Sequence, residues 1–180
     1  HPTTCNRKKG VYFAVWAPNA QYVSVIGEFN GWNEEANPMK KAGPIGVFEV
    51  FVPGAKVDQL YKFYIVGMHG EKLYKADPYA NAAELRPGTA SRITDISNYK
   101  WQDAAWMKNR VNFNEATDAM SIYEVHPGSW KKHPWKEDNE EGFYNYREFA
   151  HALAKYVKEM GYTHVELMGI AEHPFDGSWG

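Results

Sequence analysis

The sequence predicts two kinds of fold in one chain. An all-β sandwich is expected over residues 8–98, a packed linker over 99–119, and over 120–180 a β-α-β unit that opens a larger α/β layer. Three observations predict it. Short alternating apolar runs recur at roughly ten-residue spacing through the first half, with no helical period between them. From Met120 the period switches to strand, helix, strand. And 180 residues, at about 150 per domain, make one domain plus a remainder.

The first run, Val11 to Trp16, is β-branched and aromatic and stops at the turn sequence Ala17-Pro18-Asn19-Ala20. Gln21 to Ile26 is a second strand, ended by Gly27. In Val47 to Val52 the alternation sets Phe48, Val50 and Val52 on one face, and Pro53-Gly54 breaks the run. Leu60 to Val66 turns Tyr61, Phe63 and Ile65 one way and Lys62 and Tyr64 the other. Ser91 to Ile96 closes the set. Short strands with turn signals and no helix between them fit an antiparallel sandwich.

Residues 99–119 scatter Trp101, Trp106 and Phe113 among polar residues without a period, too aromatic for a free tether. Ile122 to His126 is then a strand ended by Pro127-Gly128, and Lys131 to Gly142 is a polar loop. Asn145 reads as an N-cap with Glu148 three residues on, a variant of the capping box. Phe149, Leu153, Tyr156, Val157 and Met160 fall on one helical face, and Gly161 follows as the C′ residue. Tyr162 to Ile170 is a second strand, expected to lie parallel to the first. A single β-α-β unit leaves both sheet edges open, and a (β/α)8 barrel needs roughly 250 residues, so the expectation is the opening of a larger domain. His1 in place of an initiator Met points the same way.

Composition excludes several classes. A net charge of −2 makes no electrostatic case for nucleic acid or an anionic membrane. The apolar runs fall far short of the roughly 20 residues that span a bilayer, and residues 1–10 lack the apolar stretch of a secretory signal. A lone Cys5 forms no internal disulfide and no cysteine metal cluster, and the histidine spacings match no standard metal motif. The aromatics stand out: seven Trp, twelve Tyr and nine Phe, 16% of the chain. They suit a β-rich core, and flat rings also stack on sugars.

Specific strings carry a resemblance. Gly10-Val-Tyr-Phe-Ala-Val-Trp-Ala-Pro-Asn-Ala20, Val23-Ser-Val-Ile-Gly-Glu-Phe-Asn-Gly-Trp32 and Asp77-Pro78-Tyr79 resemble the family 48 carbohydrate-binding module that precedes α-amylase-type barrels. Ser121-Ile-Tyr-Glu-Val-His126, Gly128-Ser-Trp130, Tyr156 to Leu167 and Glu172-His-Pro-Phe-Asp-Gly-Ser-Trp-Gly180 resemble the barrel start of bacterial glycogen branching enzymes. Pro127 stands where that family has a bulky aliphatic, and Met168-Gly169 where it has Leu-Pro.

The resemblance implies an immunoglobulin-like sandwich followed by the first β-α-β unit of an incomplete (β/α)8 TIM barrel. It implies an α-glucan partner, no cofactor, no metal and a cytoplasmic location. The activity implied is cleavage of an α-1,4 link and transfer of the chain to a 6-hydroxyl, through a glycosyl-enzyme intermediate between two carboxyl groups about 5–5.5 Å apart. The family's nucleophile and acid/base come from later barrel strands, so they are expected beyond Gly180 and no catalytic residue is nominated. Glu124 and Glu166 fall mid-strand and read as structural. His126 and His173, one at each strand end, are candidates to stand beside substrate. Trp32 stands in a Gly-Trp-Asn turn, and Tyr74 reads as a loop residue before Asp77-Pro78. In glucan-binding relatives the residues matching Trp32, Lys62 and Tyr74 form a sugar platform; the competing reading is that Trp32 covers the core edge and Lys62 is a solvated charge. The alternatives to a branching enzyme are a stand-alone glucan-binding module and a debranching or trehalose-releasing hydrolase.

Overall fold

A computed structural model describes residues 1–85, 87–114, 116–134, 137 and 142–170. The chain divides into two units, His1–Tyr99 and a second from Lys100 onward.

The first unit holds two antiparallel sheets. One contains β1 (Pro2–Cys5), β2 (Lys8–Trp16), β4 (Lys40–Lys41) and β5 (Val47–Pro53), in the order β1-β2-β5-β4. The other contains β3 (Tyr22–Gly27), β6 (Leu60–Val66) and β7 (Lys72–Lys75) in that order, with β8 (Ser91–Arg92) also pairing β6. The alternation in sequence decides what is buried. Val11 and Phe13 of β2, Val23 and Val25 of β3, Phe48 and Val52 of β5, and Tyr61 and Phe63 of β6 form one core, with Val50 and Ile65 packed against it. Each fully buried side chain of this size contributes about 1.5–3 kcal/mol. The Phe13 ring lies edge-on to Tyr61 at 4.9 Å between centroids.

Three strands and one strand end depart from expectation. β1, β4 and β7 are short and carry too few apolar residues to signal themselves, and the lysines of β4 and β7 are residues that blunt sheet edges. Tyr74, expected in a loop, lies in β7. The expected strand Ser91 to Ile96 contracts to Ser91–Arg92. Ile93 still exchanges backbone bonds with Gln59 and Asp58, and then the Asp95 carboxylate accepts the Ser97 N–H at 2.9 Å. That local bond competes with the ladder.

In the second unit, α1 (Ala104–Asn109) and a 3-10 turn (Arg110–Asn112) occupy the stretch without a period. Trp106 there is 62% exposed, with the Arg110 guanidinium over its ring. β9 (Ile122–Val125) and β10 (His164–Leu167) pair in parallel, Ile122 opposite His164 and Val125 opposite Leu167. Pro127, placed at the stop of β9, opens the short helix α2 (Pro127–Trp130) with His126 as its cap residue. Between the strands runs α3 (Tyr146–Met160). The Asn145 side chain accepts the Arg147 and Glu148 N–H groups at 3.0 Å each, and the Glu148 carboxylate accepts the Asn145 N–H at 2.9 Å. Gly161 ends the helix at φ 80°, a left-handed conformation that glycine adopts without a Cβ clash. Phe149 and Leu153 of α3 bury against Val125, with Tyr123, Trp130 and Val157 packed around them. Met160, at the end of the same face, stays exposed. The other side of this small core is open: Val165, Leu167 and Ile170 line an apolar groove with α3.

Candidate functional site

The outer face of the second sheet in the first unit gathers polar and aromatic side chains. On β6 the residues alternating with Tyr61, Phe63 and Ile65 are Lys62 and Tyr64. Register places Ile26 of β3 opposite Lys62, Ser24 opposite Tyr64, and Tyr74 of β7 opposite Tyr64 on the other side. Lys62 and Tyr74 therefore share one face, with Tyr64, on the same strand as Lys62, directly opposite Tyr74. The Tyr64 ring lies 5.4 Å from Tyr74 and 6.2 Å from Tyr22, so three tyrosines cross the sheet as a row. Lys62 is half-buried, and its ammonium donates to the Thr89 hydroxyl at 2.7 Å. The Tyr74 ring is 51% exposed. Its hydroxyl donates to the Glu34 carboxylate, and that bond, followed by desolvation, holds the phenol above its ordinary pKa.

Trp32 sits on the loop that leaves β3. A 3-10 turn, Glu28–Asn30, is followed by Gly31 at φ 63° and Trp32 at φ 61°. Left-handed backbone at a bulky residue is sparsely populated and persists where neighbours over-determine it. Here the Trp32 N–H donates to the Gly27 carbonyl at 2.9 Å. The Asn30 side chain accepts the Gly27 N–H at 2.9 Å and donates to Val25 O at 3.0 Å and Asn37 Oδ1 at 2.7 Å. Gly27 pairs with Tyr61, the neighbour of Lys62, so the Trp32 backbone is hooked at the Lys62 end of the sheet. The indole is 40% exposed. Tyr64, Thr89 and Glu34 join this face beyond the three residues named from the sequence. Outward alternation in β6 flagged Tyr64, whereas Glu34 and Thr89 reach this face from loops with no periodic signal.

In the second unit, His126 lies at the C-terminal end of β9, half-buried, with its Nδ1 3.3 Å from the Ser129 hydroxyl. His173 lies outside the described residues. Glu124 and Glu166 are register partners on adjacent strands, and both are exposed. Among the described residues no three His, Cys, Asp or Glu side chains group to hold a metal ion. No helix among them is long and apolar enough to cross a membrane.

Comparison with known proteins bears on both units. Residues 1–80 match the family model "Carbohydrate-binding module 48 (Isoamylase N-terminal domain)". The 1,4-alpha-glucan branching enzyme GlgB of Butyrivibrio fibrisolvens is 54% identical over 180 residues, all of this chain and 28% of that protein. The enzyme of the same name from Protochlamydia amoebophila is 54% identical over 172 residues, 96% of this chain and 23% of its own. Among solved structures, a pullulanase from Bacillus acidopullulyticus superposes with a TM-score of 0.58 at 23% identity, over 94% of this chain and 21% of that one, a likeness of fold. The chain thus spans about a quarter of the length of the curated relatives it matches. Sequence identity to 1,4-alpha-glucan branching enzymes thus runs through both the sandwich and the β-α-β unit, and residues 1–80 match the carbohydrate-binding module 48 family.

Proposed function

We propose that the parent protein is a cytoplasmic, cofactor-free 1,4-α-glucan branching enzyme, and that residues 8–98 of this chain are its glucan-binding module. The observation that carries this reading is 54% identity to a branching enzyme across all 180 residues. The parent cleaves α-1,4-glucan chains and transfers the segment to a 6-hydroxyl by a retaining double displacement. Residues 99–119 connect the module to the start of a (β/α)8 barrel at 120–180. The parallel β9–β10 pair bridged by a capped helix supports that assignment. No residue of this chain is assigned the nucleophile or the acid/base. His126 would meet substrate from the end of β9, where barrel sites are built, and His173 is proposed for the same role from the sequence.

In the module, Trp32 and Tyr74 offer exposed rings to the apolar faces of successive sugars, and Lys62 donates to their hydroxyls. The shared outer face of Lys62 and Tyr74 supports this use, as does the hooked loop that holds Trp32 out of the core. Affinity electrophoresis of the 180-residue chain through glycogen tests it. Retarded migration is expected, lost in Trp32→Ala and Tyr74→Ala; unchanged retardation in both variants would refute the platform. For the parent, falling iodine absorbance of amylose without release of sugar is expected, and release of sugar would identify a hydrolase instead.

A further inference from the structure

Hydrogen bonds from three strand residues converge on one residue of the Trp32 loop. The Glu34 backbone oxygen accepts the Ser24 hydroxyl at 2.6 Å and the Tyr22 hydroxyl at 3.1 Å. The Glu34 carboxylate accepts the Tyr74 hydroxyl. Ser24 is fully buried, and the loop continues along the free edge of β3: the Val25 N–H donates to Asn37 O at 3.1 Å, and the Met39 N–H to Val23 O at 2.8 Å. The loop from Gly31 to Met39 is therefore fastened to the sheet at several points, and the Glu34 side chain is its reach to β7.

We propose that Glu34 is a positioning residue of the glucan platform: it ties the Tyr74 ring on β7 to the loop that carries Trp32, so that both rings meet one α-1,4-glucan chain already ordered. The proposal rests on the platform reading above. Its physical basis is the cost of ordering. Tyr74 lies on a four-residue strand, half exposed, with Tyr64 against one side of its ring. A ring fixed at its tip as well loses little rotamer freedom when a sugar stacks on it, whereas a free ring loses that freedom on binding and weakens affinity. Thr89 engages Lys62, so the cation is held separately from this tie.

The bond can be removed from either end. Glu34→Ala deletes the acceptor but keeps the backbone carbonyl that Ser24 and Tyr22 use. Tyr74→Phe deletes the donor but keeps the stacking ring. Glu34→Gln keeps an acceptor oxygen and removes the charge. Calorimetric titration of the 180-residue chain with maltoheptaose should show Glu34→Ala and Tyr74→Phe each weakening binding about 3- to 10-fold. The double variant should be no weaker than either single one, and Glu34→Gln should stay within about twofold of the parent sequence. Unchanged affinity in Glu34→Ala and Tyr74→Phe, with binding lost in Trp32→Ala and Tyr74→Ala, would leave the platform standing and overturn the role of Glu34. Multiplying losses in the double variant would overturn it too, as would a Glu34→Gln loss equal to that of alanine. Wild-type affinity in Trp32→Ala and Tyr74→Ala would overturn platform and proposal together. Should Glu34→Ala fail to fold, Tyr74→Phe reads the same bond.

Discussion

Tyr61 shows how one side chain joins the core of the sandwich to its polar edge. Its ring packs edge-on against Phe13 and Phe63, while its hydroxyl donates to the Asp77 carboxylate at 2.7 Å. Asp77 in turn accepts the Tyr79 N–H at 2.8 Å and donates its own N–H to the Ser91 hydroxyl at 2.8 Å, so the Asp77-Pro78-Tyr79 string closes on β8. Burial, then the Asp77 charge and hydrogen bond, pushes the Tyr61 phenol well above its ordinary pKa. The folded state therefore keeps a proton that the unfolded chain releases near pH 10, and stability falls as pH rises above about 10. Thermal unfolding of the chain should show that alkaline loss, and Tyr61→Phe should make it shallower while costing about 1 kcal/mol at neutral pH. An unaltered alkaline slope in Tyr61→Phe would show that other groups carry it. The inward alternation of Tyr61 is legible in sequence; its hydroxyl partner, sixteen residues away through a turn, is not.

At the scale of elements, α3 is the most legible because its signals are local. Asn145, Glu148 and Gly161 each act on backbone within a few residues, and all three do what their spacing indicates. Asn145→Ala removes the acceptor for two N–H groups and should cost about 1 kcal/mol, measured as a lowered denaturation midpoint followed by helical circular dichroism. A loss no larger than that of an exposed mid-helix change such as Lys155→Ala would show that the cap contributes little. The short strands behave oppositely. β7 has Leu73 and Tyr74 between lysines, and only the partnership with β6 makes it a strand. Tyr74 thus moves from a loop to a sheet, which is what places it across from Tyr64 and on the face of Lys62. The contraction of β8 has a local cause in Asp95, visible in sequence as an Asp-x-Ser turn but outweighed there by the β-branched residues around it.

For the molecule as a whole, the two units differ in how completely they bury what they must. β3 is buried at five of its six positions, and Phe63 of β6 has no exposure. β10 is exposed at all four positions, and Ile122 of β9 is 54% exposed. Hydrogen exchange of the 180-residue chain should therefore leave the β3 and β6 amides protected long after those of β9 and β10 have exchanged. Equal protection in both strand pairs would contradict this. The sequence by itself determined the alternating faces of the sandwich, the switch of period at Met120, the caps of α3 and the motif strings that carry the resemblance. Each of these depends on near neighbours or on a local pattern. Only the tertiary structure decided that Lys62 and Tyr74 share a face, that Trp32 is hooked to Gly27, and that Glu34 and Thr89 reach the same surface. Those placements come from strand pairing and from loop hydrogen bonds between residues up to 40 apart, where no period carries information along the chain.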